Sequence, residues 1–461
     1  MKISGCASCG QLVFFENTAC LRCGVPLGFD PGTGKVITLV AEPPGADGGE
    51  LFRELPPVAV VAAGLGAADS GGAPVHLTEG GRPSEADEMV PADGRTESGE
   101  ATAAAADLIA RDLADAVPPR RRRWYRRCVN AELAACNWLV QAPAPVEGDA
   151  GAHPGGLCAC CGLTRVRPAD TDPVGRERFE RAEAAKRRLV AQLLELGLPV
   201  VPKSIDPAGG LAFDLLNSTE RKVVTGHSDG VITLDLAESD DAHRELVRTQ
   251  LGEPYRTLLG HFRHEVGHYY WGSLVSADPA RSDAFRNLFG DPDIDYSAAL
   301  DRHYADGPPV DWRETHVSAY ATMHPWEDWA ETFAHYLHIR DTLRAAAEFG
   351  LRVDGPDLDA FGVPAHRHAA EPGRPGGLGG HRDTPSPSAV DIIAQWLPLT
   401  YALNAINRSM GREDLYPFVL TPAVQAKLAF VHSMIGTTAI GATAVTAAMV
   451  AEPDTGAAAS G

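Results

Sequence analysis

The spacing of apolar residues along the chain changes period several times, and each change predicts an element. Over 177–196, from Glu177-Arg178-Phe179 to Leu194-Glu195-Leu196, apolar residues recur three and four apart among strong helix formers, and Gly197 follows where a helix would end. Gly210–Leu216 and Val231–Leu236 read as strands, the second alternating in part after the turn signal Asp229-Gly230. Helical patterns follow at 242–250, 256–275, 327–346, 389–409 and 422–434. Strands followed by a run of helices predict an α+β body with a small sheet, spanning about 172–435.

Two stretches carry no such pattern. Residues 41–117 are rich in Ala, Gly and Pro and hold 15 acidic against 4 basic residues, over half of the chain's net charge of −20. A segment of this kind cannot bury enough apolar area to offset its ordering entropy, so 41–118 reads as a disordered linker. Residues 364–388, with Pro372-Gly373-Arg374-Pro375-Gly376-Gly377, read as a second insert. Glycine (47) and proline (35) are in excess across the 461 residues because of such segments. The strong acidity argues against coating nucleic acid or a membrane surface. Ser433–Ala451 lacks charge, but its threonines, glycines and alanines make a poor membrane span, so 436–461 reads as a tail. No apolar run follows Met1, so a reducing cytoplasm is the expected setting.

In that setting, nine cysteines point to metal rather than to disulfides. Cys6-x₂-Cys9-Gly10 and Cys20-x₂-Cys23-Gly24 are two knuckles, and facing knuckles complete a closed four-thiolate zinc site. Residues 1–40 are therefore expected to form a zinc ribbon. Cys158-x₂-Cys161 is a third knuckle; Cys128 and Cys136 could complete a second structural zinc within 119–171, with Cys160 left over. The basic, aromatic run Arg120–Arg127 just before Cys128 could touch nucleic acid, but in so acidic a chain it reads better as a solvated run docked on acidic neighbours.

The stretch that carries chemistry is His264-Glu265-Val266-Gly267-His268. Two histidines four apart share one helix face and can bind one zinc, while Glu265 beside them can take a proton from a metal-activated water. A catalytic zinc needs a third protein ligand. Position 274, where a further histidine six residues on would fall, is Leu274. In Pro325-Trp326-Glu327-Asp328-Trp329-Ala330-Glu331, Pro325 suits a first helical turn, which puts Glu327 and Glu331 on one face. Glu327 is then the expected ligand and Glu331 the expected hydrogen-bond partner of a ligating histidine. Two alternatives stand beside this: Glu327 as a mere capping partner of His324, and Asp291, Asp293 or Asp295 as the third ligand. Tyr269, His335, Tyr336 and His227 are candidate donors to a developing oxyanion, His335 foremost because it continues the Glu327–Glu331 face. If Val231–Leu236 is a sheet edge, it could bind substrate backbone.

Taken together, the knuckles, Asn130, Cys136-Asn137-Trp138-Leu139-Val140, Gly226-His227-Ser228-Asp229-Gly230, Glu253 through His268, Pro325 through Glu331, Asn407-Arg408-Ser409-Met410-Gly411 and Tyr416-Pro417-Phe418-Val419-Leu420 form a recognisable pattern. It resembles the bacterial zinc-binding metallopeptidases that carry an N-terminal zinc ribbon, over about 1–40 and 120–435. The resemblance implies a zincin-like, gluzincin-type site: His264, His268 and Glu327 on zinc, Glu265 as base, and peptide-bond hydrolysis. The expected partners are a peptide or protein substrate and a protein bound through the ribbon, with nucleic acid and membrane disfavoured. The expected cofactors are one catalytic and one or two structural zinc ions. The rival readings are a catalytically silent ribbon adaptor and a protease acting on DNA-bound proteins.

Overall fold

Ile37, Leu39, Phe52, Tyr125 and Leu139 lie far apart in sequence yet bury one another inside a single antiparallel sheet. The computed structural model in which this is seen describes residues 3–42, 50–55, 123–143, 156–218, 223, 225–240, 257–353 and 387–441. The sheet runs β3 (Leu27–Asp30), β4 (Lys35–Ala41), β5 (Phe52–Glu54), β6 (Trp124–Arg127) and β7 (Leu139–Ala142), each antiparallel to the next. Phe29 N donates to Asn137 O at 2.7 Å and Phe29 bridges to Trp138, so the far edges β3 and β7 also meet. The short hairpin β1 (Ser4–Gly5) and β2 (Leu12–Val13) carries the first knuckle and packs beside it.

This sheet corrects one expectation. β4 crosses residue 40 and β5 lies inside 41–118, so the start of that stretch is ordered strand; residues 56–122 lie outside the described part. Of the Arg120–Arg127 run, residues from Arg123 on are described, and Arg123 docks on acidic neighbours as expected. Arg123 pairs with Asp30 at 3.0 Å and Glu54 at 2.5 Å, and the Arg127 guanidinium lies 5.1 Å from the centre of the Phe52 ring.

The body has the expected α+β form. Its sheet has the order β10 (Gly226–Ser228), β11 (Val231–Asp235), β9 (Ala212–Leu216), β8 (Thr164–Val166), with β11 and β8 parallel to β9 and β10 antiparallel to β11. The strand expected at 231–236 is therefore interior, with Leu236 already turning into a 3₁₀ segment; the edge beside it is β10.

Helix α1 (Pro173–Glu195) starts at Asp172, whose side chain accepts from Gly175 N, and ends before Gly197, whose φ of +73° suits glycine. Helix α2 (Leu258–Trp271) starts at Thr257 and runs on into a π-helical turn, Gly272–Ser276. Two helices follow that the apolar spacing did not announce, α3 (Pro279–Phe289) and α4 (Tyr296–Asp306). Their buried residues are few, Phe285 and Phe289 in the first and Ala299 in the second, so their periodicity is weak. Helices α5 (Pro325–Glu348), α6 (Ala389–Ser409) and α7 (Pro422–Gly441) complete the body. The expected helix at 242–250 and nearly all of the second insert lie outside the described residues. Among the described residues no helix is long and apolar enough to cross a membrane.

α1, α2 and α5 form the centre. Phe262, Val266 and Tyr270 of α2 are buried against Trp329, Phe333 and Leu337 of α5 and Phe179, Leu189 and Leu193 of α1, and Phe262 meets Phe213 of the sheet at 5.6 Å. The polar seam is as specific as the apolar one. Gln192 of α1 donates to Leu337 O at 2.6 Å and accepts from Arg263 at 3.2 Å, and Arg263 pairs with Asp341 at 2.8 Å. The packed pair α2 and α5 is thereby fixed to α1.

Candidate metal centre

Gly267 sets how closely α2 and α5 approach. A Cβ at this position would stand 3.1 Å from Ala330 Cα and 3.2 Å from Phe333 Cβ, tighter than most such contacts, so a side chain here would push the two backbones apart by a few tenths of an ångström. Trp329 Nε1 donates to Gly267 O at 2.8 Å across the same point. The consequence is that His264 and His268, on one face of α2, confront the first turn of α5. That turn begins at His324, whose Nδ1 accepts from Trp326 N at 3.0 Å, and Pro325 occupies the first helical position.

Glu327 does not fold back on His324 as a capping partner. Its Oε2 lies 3.0 Å from His264 Nε2 and 3.4 Å from His268 Nε2, and the two imidazole nitrogens are 3.1 Å apart. A metal held tetrahedrally at about 2.0–2.1 Å from each ligand requires edges of about 3.3 Å. The three atoms form such a triangle.

Tautomer chemistry points the same way. His264 Nδ1 lies 2.7 Å from Glu331 Oε1, and the acceptor-only carboxylate requires the ring hydrogen there. With the Nδ1 hydrogen held there, Nε2 is the ring nitrogen turned toward Glu327 and His268, where the carboxylates favour positive charge, a proton or a metal ion. Burial opposes charge on His264, but the carboxylates of Glu327 and Glu331 outweigh it and hold the imidazole protonated well above its ordinary range. Burial would likewise raise Glu327, yet His268 and His264 keep it far below the usual carboxylate value. Glu331, against the same burial, is held down to about 2 by His264, with Ser318 Oγ donating to its other oxygen at 2.6 Å. The donor set and its spacing fit zinc.

Glu265 is buried beside these groups. Burial pushes its carboxyl above the ordinary range, while His264 and His268 pull it back. A carboxylate tuned upward in this way suits a general base.

The other expected candidates are placed differently. Asp291 and Asp293 pair with Arg286, and Asp295 caps α4, so none of the three joins the triad. His335 stands with its Nδ1 2.8 Å from Tyr416 OH and its ring 4.4 Å from Phe418, occupied by these neighbours and not by the triad. Tyr269 donates to Gly209 O at 2.9 Å, Tyr336 OH lies 2.8 Å from His432 Nδ1, and His227 Nε2 accepts from Gly230 N at 3.0 Å. Tyr296, Tyr320 and Ser318 are the side chains that the sequence reading passed over. Tyr296 OH donates to Glu327 Oε1 at 2.9 Å, and the Tyr320 ring is 6.1 Å from that of His264. Tyr296 and Tyr320 fall outside any spacing pattern tied to the histidines, because they arrive on α4 and on the 3₁₀ turn Tyr320–Thr322.

Both cysteine sets assemble as expected. In the first, Cys6 and Cys23 Sγ are 3.7 Å apart and Cys9 and Cys20 Sγ are 3.6 Å apart; in the second, Cys136 lies 3.7 Å from Cys158 and 3.6 Å from Cys161, with Cys128 completing the group. Thiolates on one zinc at about 2.3 Å sit about 3.8 Å apart, whereas a disulfide would bring them to about 2 Å. Cys160 is buried outside the set. The second set abuts α1, with Cys161 Sγ 3.8 Å from Glu183 Oε2.

Two histidines and a glutamate on a pair of packed helices, with a buried glutamate next to the first histidine, form a donor set that could hold a metal in the manner of a metallopeptidase. The sequence pattern of the family described as "Putative zinc-binding metallo-peptidase" matches residues 175–434, and that of a zinc-ribbon domain matches residues 4–54. The chain belongs to this zinc-binding metallopeptidase family. It is similar to an uncharacterized protein of Mycobacterium bovis and to uncharacterized proteins of two Mycobacterium tuberculosis strains, CDC 1551 and H37Rv. Each is 43% identical over 436 residues, covering 94% of this chain and 95% of the relative. No solved structure matches the chain.

Proposed function

We propose that the protein is a zinc-dependent peptidase in which His264, His268 and Glu327 hold the catalytic ion and Glu265 is the general base. The observation that carries this reading is the near-tetrahedral triangle of His264 Nε2, His268 Nε2 and Glu327 Oε2, with Glu331 fixing the His264 tautomer. Zinc bound there would lower the pKa of a water and polarise a peptide carbonyl. Glu265 takes the proton of the attacking water and returns it to the leaving nitrogen, so that one water is consumed and an acid and an amine are released. Glu331 keeps the Nδ1 hydrogen of His264 in place throughout.

β10 is the sheet edge that would receive an extended substrate backbone. Its His227 ring lies 6.5 Å from that of Trp326, whose ring centre in turn lies 4.0 Å from that of His268. The two four-cysteine sets would each hold a structural zinc. Closed sites of this kind leave no open position for chemistry, so the ribbon serves to hold a protein partner or substrate. Cysteines gathered in metal-binding sets rather than in disulfides suit a reducing, cytoplasmic setting.

The test is hydrolysis of a mixed peptide library by the zinc-loaded protein and by Glu265→Gln. The variant is expected to keep its zinc and to lose about 10²–10⁴-fold or more in rate. Equal cleavage by both would remove Glu265 from the mechanism, and no cleavage by either would favour a ribbon adaptor.

A further inference from the structure

Glu327 has two oxygens, and the fold treats them differently. Oε2 faces the two imidazoles, while Oε1 accepts from Tyr296 OH at 2.9 Å. A carboxylate is free to bind a metal through one oxygen or two, and the second mode would use up the position that a catalytic site must keep for water.

The placement of Tyr296 is itself fixed from the helix that carries Glu327. His324 Nδ1 accepts from Trp326 N, so its hydrogen sits on Nε2, which donates to Ile294 O at 3.1 Å. One imidazole thus ties the start of α5 to the chain just before α4, and its ring lies 5.2 Å from that of Tyr296. Asp295 caps α4 by accepting from Ala298 N at 2.9 Å, and the Tyr320 hydroxyl interacts with that of Tyr296. The Tyr296 ring also packs 6.3 Å from Trp326.

We propose that Tyr296 is a positioning residue for the metal: by donating to Glu327 Oε1 it reserves Oε2 as the single metal-facing oxygen and keeps a coordination position open. This rests on the triad being a metal site. Its role is one of affinity and coordination number, separate from the proton transfer assigned to Glu265.

The experiment uses the full-length chain. The triad is emptied with a chelator that leaves the thiolate-bound zinc in place, and Co²⁺ is then titrated in, with His264→Ala subtracted as the blank. For Tyr296→Phe, Co²⁺ affinity is expected to fall about 10-fold or more. Its visible absorption bands should weaken, as they do when cobalt gains a ligand, while the melting temperature of the metal-free protein stays that of the wild type. Unchanged affinity and unchanged bands in Tyr296→Phe would overturn the proposal. Should Tyr296→Phe fail to fold, Tyr320→Phe carries the test, with the same change expected in smaller measure and an unaltered spectrum counting against it. No difference in cobalt uptake between wild type and His264→Ala would overturn the metal-site reading itself, and this inference with it.

Discussion

Glu331 Oε1 lies 2.7 Å from His264 Nδ1, one helical turn along α5 from the glutamate whose oxygen meets the other nitrogen of the same ring. A single helix face thus supplies both a proposed ligand and the group that fixes a second ligand's tautomer. Replacing Glu331 by Ala removes the acceptor for the Nδ1 hydrogen and frees Ser318. Zinc affinity at the triad is expected to fall about 10–100-fold, read by competition with a chromogenic chelator. An unchanged affinity would mean that the ring is oriented by packing alone.

Gly267→Ala tests the helix crossing. Alanine is the better helix former by about 1 kcal/mol, so on propensity alone the substitution stabilises. Its methyl group, however, meets the α5 backbone at Ala330, which cannot rotate away. The expected result is net destabilisation of about 1–3 kcal/mol, with weaker metal binding because His264 and His268 move away from Glu327. A melting temperature at or above that of the wild type would show that the crossing has slack.

His335 and His338 are pushed down by burial to about 4 and about 3, with Glu331 opposing the shift at the first and Arg263 adding to it at the second. Their folded values lie below the unfolded value of about 6.5, so the unfolded chain binds more protons between these limits. The stabilisation is fully present above about pH 6.5 and is lost as pH falls toward 4, at about 1.4 kcal/mol per pH unit for each histidine. Thermal unfolding in the His264→Ala background, where loss of the triad metal plays no part, should be flat above pH 7 and fall below 6.5. The slope should be shallower in the His335→Gln, His338→Gln double variant. An equal slope would assign the acid sensitivity to other groups.

Much of the centre was legible from spacing, because helix geometry converts sequence intervals into faces. His264, Glu265 and His268 needed only the i, i+4 rule, and Pro325 located the turn that presents Glu327 and Glu331. The parts that were not legible depend on contacts between distant segments. Nothing local in Phe52-Arg53-Glu54 distinguishes it from the Ala- and Gly-rich residues after it; it becomes a strand by pairing with β4 and β6. Tyr296 reaches Glu327 only because His324 ties Ile294 to the start of α5. His335 misled for a related reason. Four residues beyond Glu331 it continues the helix face, but by then α5 has passed the metal centre and faces Tyr416 and Phe418.

Three separate side-chain clusters are each expected to hold one metal ion: Cys6, Cys9, Cys20 and Cys23; Cys128, Cys136, Cys158 and Cys161; and His264, His268 and Glu327. Native mass spectrometry of the full-length protein counts the ions directly. This assignment requires three zinc ions in the wild type and two in His264→Ala. The same count in both proteins would contradict it.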